Sequence, residues 1–178
     1  MSAATATALT TALADAAARV RLLVLDVDGV LTDGRLYYGA RGEALKVFHV
    51  HDGLGLKLLG KAGITVAVIS GRRSAMTGRR CRELGVKHLV QGAQNKLAAF
   101  QRLRARLGMA SSACACVGDD LPDVPLMREV GLSFAVADAH PQARRAAQVV
   151  TELSGGNGAV REICDFLLEA HRRAGAAP

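Results

Sequence analysis

The sequence predicts an open α/β fold, a parallel sheet with helices on both faces. Short apolar runs alternate with helix-length amphipathic segments, the sign of strands joined by crossover helices. Several of these runs stop abruptly at Asp, Ser or Gly, where the carboxyl edge of an open sheet presents ligand-binding groups. The 178-residue chain, 50% hydrophobic, has the size of one domain and enough apolar material for a core without staples.

Residues 1–20 are Ala-rich and could form a helix. They lack the early basic cluster and Leu-rich centre of a signal peptide and include Asp15, so they are expected to be an N-terminal extension to a domain covering 21–170. The first strand is predicted at 21–26 ("RLLVLD"). The segment 35–50, "RLYYGARGEALKVFHV", has β-rich flanks around Gly39 and Gly42 and reads as a β-hairpin flap beside the carboxylate loop. Helices follow at 54–61, 74–84, 96–107, 124–130 and 158–171, interleaved with strands at 64–70, 88–91, 113–120, 132–137 and 148–151. "SGGNG" at 154–158 reads as a flexible joint and 171–178 as a frayed tail.

The net charge is +7, with arginines in pairs and clusters. No Trp, two Tyr and four Phe leave few platforms for stacking bases, so the charge suits a small anionic substrate or solubility better than nucleic acid. Cys81, Cys114, Cys116 and Cys164 lack C-x-x-C spacing and read as small core residues in a reduced, cytoplasmic setting. With no run of about twenty apolar residues, no membrane span is expected.

The predicted strand ends carry the chemistry. "DVDG" places Asp26 and Asp28 two residues apart; the next central strand ends in Ser70-Gly71-Arg72; "QGAQN" leads to Lys96; and "VGDD" ends in Asp119 and Asp120, with Asp123 close behind. Carboxylates converging on one edge repel each other unless a cation neutralises them. Oxygen-only ligands point to Mg²⁺, which keeps several waters and completes its shell with phosphate. Ser70, Lys96 and backbone N–H groups near glycine suit a phosphate. Asp26 as nucleophile and Asp28 as proton donor and acceptor then describe phosphoryl transfer through an aspartyl-phosphate.

"DVDGVLTDG", "ISGR", Lys96 and "GDDLPD" resemble, in order and strand position, the four motifs of the haloacid dehalogenase-like superfamily of phosphatases, over residues 21–169. The flanks "GEALKVFHVHDGLGLKLL", "QGAQNKLAAF", "VGLSFAVADAHP" and "GGNGAVREICDFLL" resemble more closely its 3-deoxy-D-manno-octulosonate 8-phosphate phosphatases, enzymes of lipopolysaccharide sugar synthesis. The resemblance implies a Rossmann-like sheet with a minimal hairpin flap in place of a cap domain. Only 44 positions separate Asp26 from Ser70 and 23 separate Lys96 from Asp119, too few for an inserted cap. It also implies a cytoplasmic, Mg²⁺-dependent homotetramer.

By the same resemblance, Asp26, Asp28 and Asp119 hold the metal, and Asp26, Asp28, Ser70 and Lys96 are catalytic. Substrate contacts fall on Asp28, His49, Val50, His51, Asp52, Gly53, Lys57, Arg72, Arg80 and Lys96, with Asp120 and Asp123 in support. His49 and His51 are expected on one face of a strand. His51 and Lys57 stand where the family usually has arginine, as does Asn157, and neither His nor Lys offers the planar, always-charged fork that grips a carboxylate. A nine-carbon sugar acid 9-phosphate is therefore the alternative substrate, and a non-catalytic accessory subunit on the same fold the alternative role.

Overall fold

A computed structural model describes residues 3–175. From the N-terminus, α1 (Ala3–Arg19) leads into β1 (Leu22–Leu25), followed by the hairpin of β2 (Tyr37–Gly39) and β3 (Gly42–Leu45). Next come α2 (Val50–Lys61), β4 (Thr65–Ser70), α3 (Ala75–Leu84), β5 (His88–Gln91) and α4 (Lys96–Arg106). The chain continues through β6 (Cys114–Gly118), α5 (Val124–Met127), β7 (Leu132–Ala135), α6 (Pro141–Ala146) and β8 (Val149–Val150) to α7 (Ala159–Gly175).

The six expected strands form one parallel sheet in the order β5-β4-β1-β6-β7-β8. β1 is buried along its whole length because helices cover both faces, which is why it reads as a continuous aliphatic run. Leu56 and Leu59 of α2, Phe100 and Leu103 of α4, and Ile163 and Leu167 of α7 fill the core, and Ala17 of α1 seals it with Val20, the residue that follows the helix.

The chain leaves β1 toward β4 on one side, then crosses from β5 to β6 on the other. The topological switch point therefore lies between β1 and β6, and the crevice of an open sheet opens there. Leu25 pairs with both Val68 and Val117, so Asp26, Ser70 and Gly118 all emerge at this edge.

The hairpin turns at Gly39 and Gly42 as expected. Elsewhere the structure corrects the sequence reading. α2 begins at Val50, so His49 and His51 flank a helix start and do not lie along a strand; His49 is the N-cap, its Nδ1 accepting the His51 N–H at 3.3 Å. Gly53 and Gly55, weak helix formers, hid this first turn. The helix expected at 124–130 is a 3₁₀ turn at Leu121–Asp123 followed by the single turn of α5. α6, opened by Pro141, is too short to show a period and was not anticipated. α7 runs to Gly175, with Arg172 and Arg173 both paired to Glu169; residues 176–178 lie outside the described residues.

"SGGNG" is a packed brace against the Asp26–Asp33 loop, not a joint. The Gly155 N–H donates to Asp138 Oδ1 at 2.9 Å and the Gly156 N–H to the Val30 carbonyl at 2.9 Å. A Cβ on Gly155 would come within 1.8 Å of the Gly29 carbonyl oxygen. Gly155→Ala is accordingly expected to destabilise the fold by about 1–3 kcal/mol through overpacking and to shift the loop that carries Asp28. Urea denaturation with parallel turnover assays checks this; unchanged stability and activity would show that the brace yields freely.

Candidate active site

The centre of the site is one ammonium among three carboxylates. Asp26 continues β1, its N–H donating to the Val117 carbonyl at 3.2 Å, and is 8% exposed. Lys96 opens α4 behind the N-cap Asn95, whose side chain accepts the Ala98 N–H. That cap aims the buried Lys96 Nζ at Asp26 Oδ2 (2.9 Å) and Asp123 Oδ1 (2.7 Å). Asp123 Oδ2 accepts the N–H groups of Asp119 and Asp120 at 3.3 and 3.4 Å, fixing the turn after β6. Asp119 reaches back over Gly29: with φ +87° and a would-be Cβ only 2.0 Å from Asp119 Oδ2, that position requires glycine.

Burial pushes the Asp26 carboxyl up to about 6, with Lys96 opposing and Asp123 reinforcing the rise. Burial likewise pushes Asp119 up to about 8, helped by repulsion from Asp26 and Asp123. Burial alone would lower Lys96, but Asp26 and Asp123 outweigh it and hold the ammonium above its usual value. One cation is thus too little for three acids. Carboxylate oxygens of Asp26, Asp119 and Asp123 lie within 4.8 Å of one another, a donor set that fits a hard divalent cation such as Mg²⁺. Asp123 already accepts from Lys96 and two backbone N–H groups, so Asp26 and Asp119 are the carboxylates better placed to ligate.

A measurable consequence follows. The folded Asp119 carboxyl titrates above its unfolded value of 3.8, so its contribution to metal-free stability is present at low pH and lost as pH rises through about 8. A cation requires the carboxylate. A fixed Mg²⁺ concentration about 100-fold above its Kd at pH 8 is expected to raise Tm there by roughly 5–10 °C, with a smaller shift at the same concentration near pH 5.5. Thermal unfolding with Mg²⁺ and with EDTA at both pH values checks this; equal shifts would contradict the placement.

Ser70, buried at the end of β4, accepts the Arg72 N–H at 3.2 Å, which turns the chain across the site mouth. Over this mouth lies the hairpin. The buried Lys46 ammonium donates to Asp28 Oδ1 and lies 3.4 Å from Glu43 Oε1. Glu43 also meets Arg72 Nη2 at 3.3 Å and accepts from Ser74 Oγ at 2.6 Å. Arg72 Nε stands 3.6 Å from Asp28 Oδ2, and Tyr38 Oη accepts from its Nη2 at 3.4 Å. Burial would raise the Glu43 carboxyl, but Ser74, Lys46 and Arg72 together hold it below the usual carboxylate range. Neither Lys46 nor Glu43 was anticipated from the sequence. The available signal was a lysine inside the otherwise apolar end of a flap facing an aspartate pair.

The other expected contacts scatter. His49, Val50 and His51 cluster at the start of α2, the two rings edge to face at 4.9 Å and Val50 74% exposed. Asp52 turns inward, where Oδ1 accepts the Arg161 N–H at 2.8 Å; it ties α2 to the start of α7. Burial pushes its carboxyl up. Arg80 packs against Gly53 and lies 6.0 Å from the Phe48 ring centroid. Lys57 lines a groove of about 590 Å³ with Lys61, Thr65, Lys87 and His88. Thr65 and His88 begin their strands, so this groove sits at the amino edge, away from the carboxylates of the same chain. Asp120 Oδ1 accepts the Leu121 N–H, and Asn157 Nδ2 donates to Gly155 O within its own loop.

Known proteins share this fold and much of this sequence. Residues 86–163 match a model for haloacid dehalogenase-like hydrolases. The chain is 53% identical over 154 residues to the 3-deoxy-D-manno-octulosonate 8-phosphate phosphatase KdsC of Escherichia coli K12, covering 86% of this chain and 82% of that protein. The crystal structure of the Yersinia pestis 3-deoxy-D-manno-octulosonate 8-phosphate phosphatase superposes with a TM-score of 0.89 at 47% identity, over 93% of this chain and 90% of that one. The Moraxella catarrhalis enzyme, in complex with magnesium ion, phosphate ion and KDO, superposes with a TM-score of 0.88 at 43% identity, over 92% and 94% of the two chains.

Proposed function

Since the chain belongs to the haloacid dehalogenase-like hydrolases, and within them to the 3-deoxy-D-manno-octulosonate 8-phosphate phosphatases, we propose that it hydrolyses that phosphate monoester to the free sugar acid and inorganic phosphate. The observation that carries this reading is the assembled Asp26, Lys96, Asp119 and Asp123 cluster at the switch-point edge. Every motif residue a phosphatase needs is present, which disfavours an accessory subunit.

In the proposed reaction the Asp26 carboxylate attacks phosphorus while Asp28 gives its proton to the leaving sugar oxygen. Asp28 then takes a proton from water, which attacks the aspartyl-phosphate and frees Asp26. Lys96, with the Ser70 hydroxyl and neighbouring N–H groups, holds the phosphoryl oxygens. Bound Mg²⁺, held by Asp26, Asp119 and the Asp28 backbone carbonyl, would neutralise charge on the phosphoryl group. Arg72 and Arg80 supply fixed positive charge for the sugar-acid end, with His49 and His51 at its rim.

The hairpin and the start of α2 expose Leu36, Tyr38, Leu45, Val47, Val50 and Leu54 together. An apolar patch of this kind marks an interface, and a second copy of the chain closing an uncapped site, within a homotetramer, is the proposed occupant. Sedimentation at micromolar concentration tests it, a monomer counting against it. Cys81, Cys114, Cys116 and Cys164 are buried free thiols, which supports a reducing cytoplasmic setting. Among the described residues no helix is long and apolar enough to cross a membrane.

The substrate is tested by kcat/KM for the eight-carbon acid 8-phosphate against a nine-carbon acid 9-phosphate. A lead of tenfold or so for the former supports the proposal, and the reverse order would assign His51 and Lys57 to a longer sugar.

A further inference from the structure

We propose that Lys46 is a positioning residue for the acid/base Asp28, held in place by Glu43 so that the hairpin flap, and not the sheet, sets the orientation of that carboxylate. The inference rests on the assignment of Asp28 as acid/base.

Asp28 lies beyond the end of β1, in a loop where no strand pairing fixes its side chain. Its two oxygens are instead held from outside the loop. Lys46 donates to Oδ1, and Arg72 Nε stands 3.6 Å from Oδ2. Lys46 has a 2% exposed side chain and so loses the hydration that makes a surface ammonium mobile and weakly paired. It is not free to turn elsewhere, because Glu43 stands 3.4 Å away on its other side. Glu43 in turn is anchored outside the flap by the Ser74 hydroxyl at 2.6 Å and by Arg72 at 3.3 Å.

The chain of contacts therefore runs from the start of α3 through Glu43 to Lys46 and ends on Asp28. A proton transferred to the leaving oxygen in one step and from water in the next must travel along a fixed direction in both. Lys46 on Oδ1 and Arg72 beside Oδ2 together fix the plane of the Asp28 carboxyl, and with it that direction.

The experiment compares Lys46→Met, Lys46→Gln, Lys46→Arg and Asp28→Asn with the unaltered full-length protein in saturating Mg²⁺. Two substrates are used, the sugar-acid 8-phosphate, whose alkoxide must be protonated to leave, and p-nitrophenyl phosphate, whose phenolate leaves unaided. For Lys46→Met, kcat on the sugar phosphate is expected to fall about 100-fold, the scale of general acid-base assistance, with KM within about threefold of the unaltered protein. With the aryl ester it is expected to release close to one nitrophenolate per site in a fast burst, followed by slow turnover. The burst reflects formation of the phosphoryl-enzyme without an acid; the slow phase reflects its hydrolysis without an aligned base.

Lys46→Arg is expected to recover part of kcat, and Lys46→Gln, which keeps a donor, to fall between Arg and Met. Should Lys46→Met not fold, the Gln and Arg variants carry the same comparison. A rise in KM at unchanged kcat would overturn the proposal by making Lys46 a substrate-binding group, and so would unchanged kinetics. If instead Asp28→Asn kept full turnover, the acid/base assignment itself would fall, a result separable from any Lys46 outcome.

Discussion

Asp26→Asn is expected to lower phosphate release by on the order of 10⁴-fold or more, as removal of a nucleophile from a covalent mechanism does. Asparagine keeps the shape of the side chain and the place in the β1–β6 crevice but offers no carboxylate to attack phosphorus. The fold should not suffer. In the metal-free protein the Asp26 carboxyl is crowded by Asp123 and pushed up to about 6 by burial, so replacing it by a neutral amide relieves repulsion even as it weakens the contact to Lys96. A thermal midpoint at or above that of the unaltered protein, measured in EDTA beside the activity assay, would separate lost chemistry from lost structure. Activity within tenfold of the unaltered protein would mean that water attacks the phosphate directly.

Lys96→Met carries the largest expected effect on stability. Its ammonium is the direct partner of both Asp26 and Asp123, and all three side chains are nearly buried. Removing one partner of a buried ion network leaves uncompensated charge, at a cost of about 3–5 kcal/mol. The loss should depend on pH. With the ammonium gone, the Asp26 carboxyl titrates higher still when folded, so the stability of its protonated form is lost as pH rises, and the variant should lie nearest the unaltered protein at about pH 5. Denaturant melts in EDTA at pH 5 and pH 8 measure both the size and the sign. A loss below about 1 kcal/mol at both would show that Lys96 serves phosphate binding alone.

The central architecture was legible because its physical signals are strong and local. A fully buried parallel strand must be continuously aliphatic, and an abrupt D-x-D at its end is hard to explain without a cation, so β1 and Asp26 could be read directly. The same holds for Gly39 and Gly42, which set the hairpin turn. What could not be read is direction. Asp52 sits in a stretch that looks like part of the site mouth, yet its side chain turns to the N–H of Arg161, 109 positions away.

Lys57 falls on the right helix, but α2 runs from the carboxyl edge of the sheet down to the amino edge and carries that lysine away from the carboxylates. Glu43 and Lys46 were hidden for a related reason. Their importance lies in where the hairpin folds back, which neither alternation nor turn chemistry specifies. Gly155 misled because glycine serves both flexible joints and close backbone contacts, and only the proximity of Gly29 distinguishes them.

The measurement that bears most directly on this account is phosphate release from 3-deoxy-D-manno-octulosonate 8-phosphate by the purified full-length protein, in Mg²⁺ and after EDTA. Rapid release with Mg²⁺, lost in EDTA and restored by adding the metal back, is the expected result. Absence of release under either condition, from a protein that melts cooperatively and binds Mg²⁺, would contradict it.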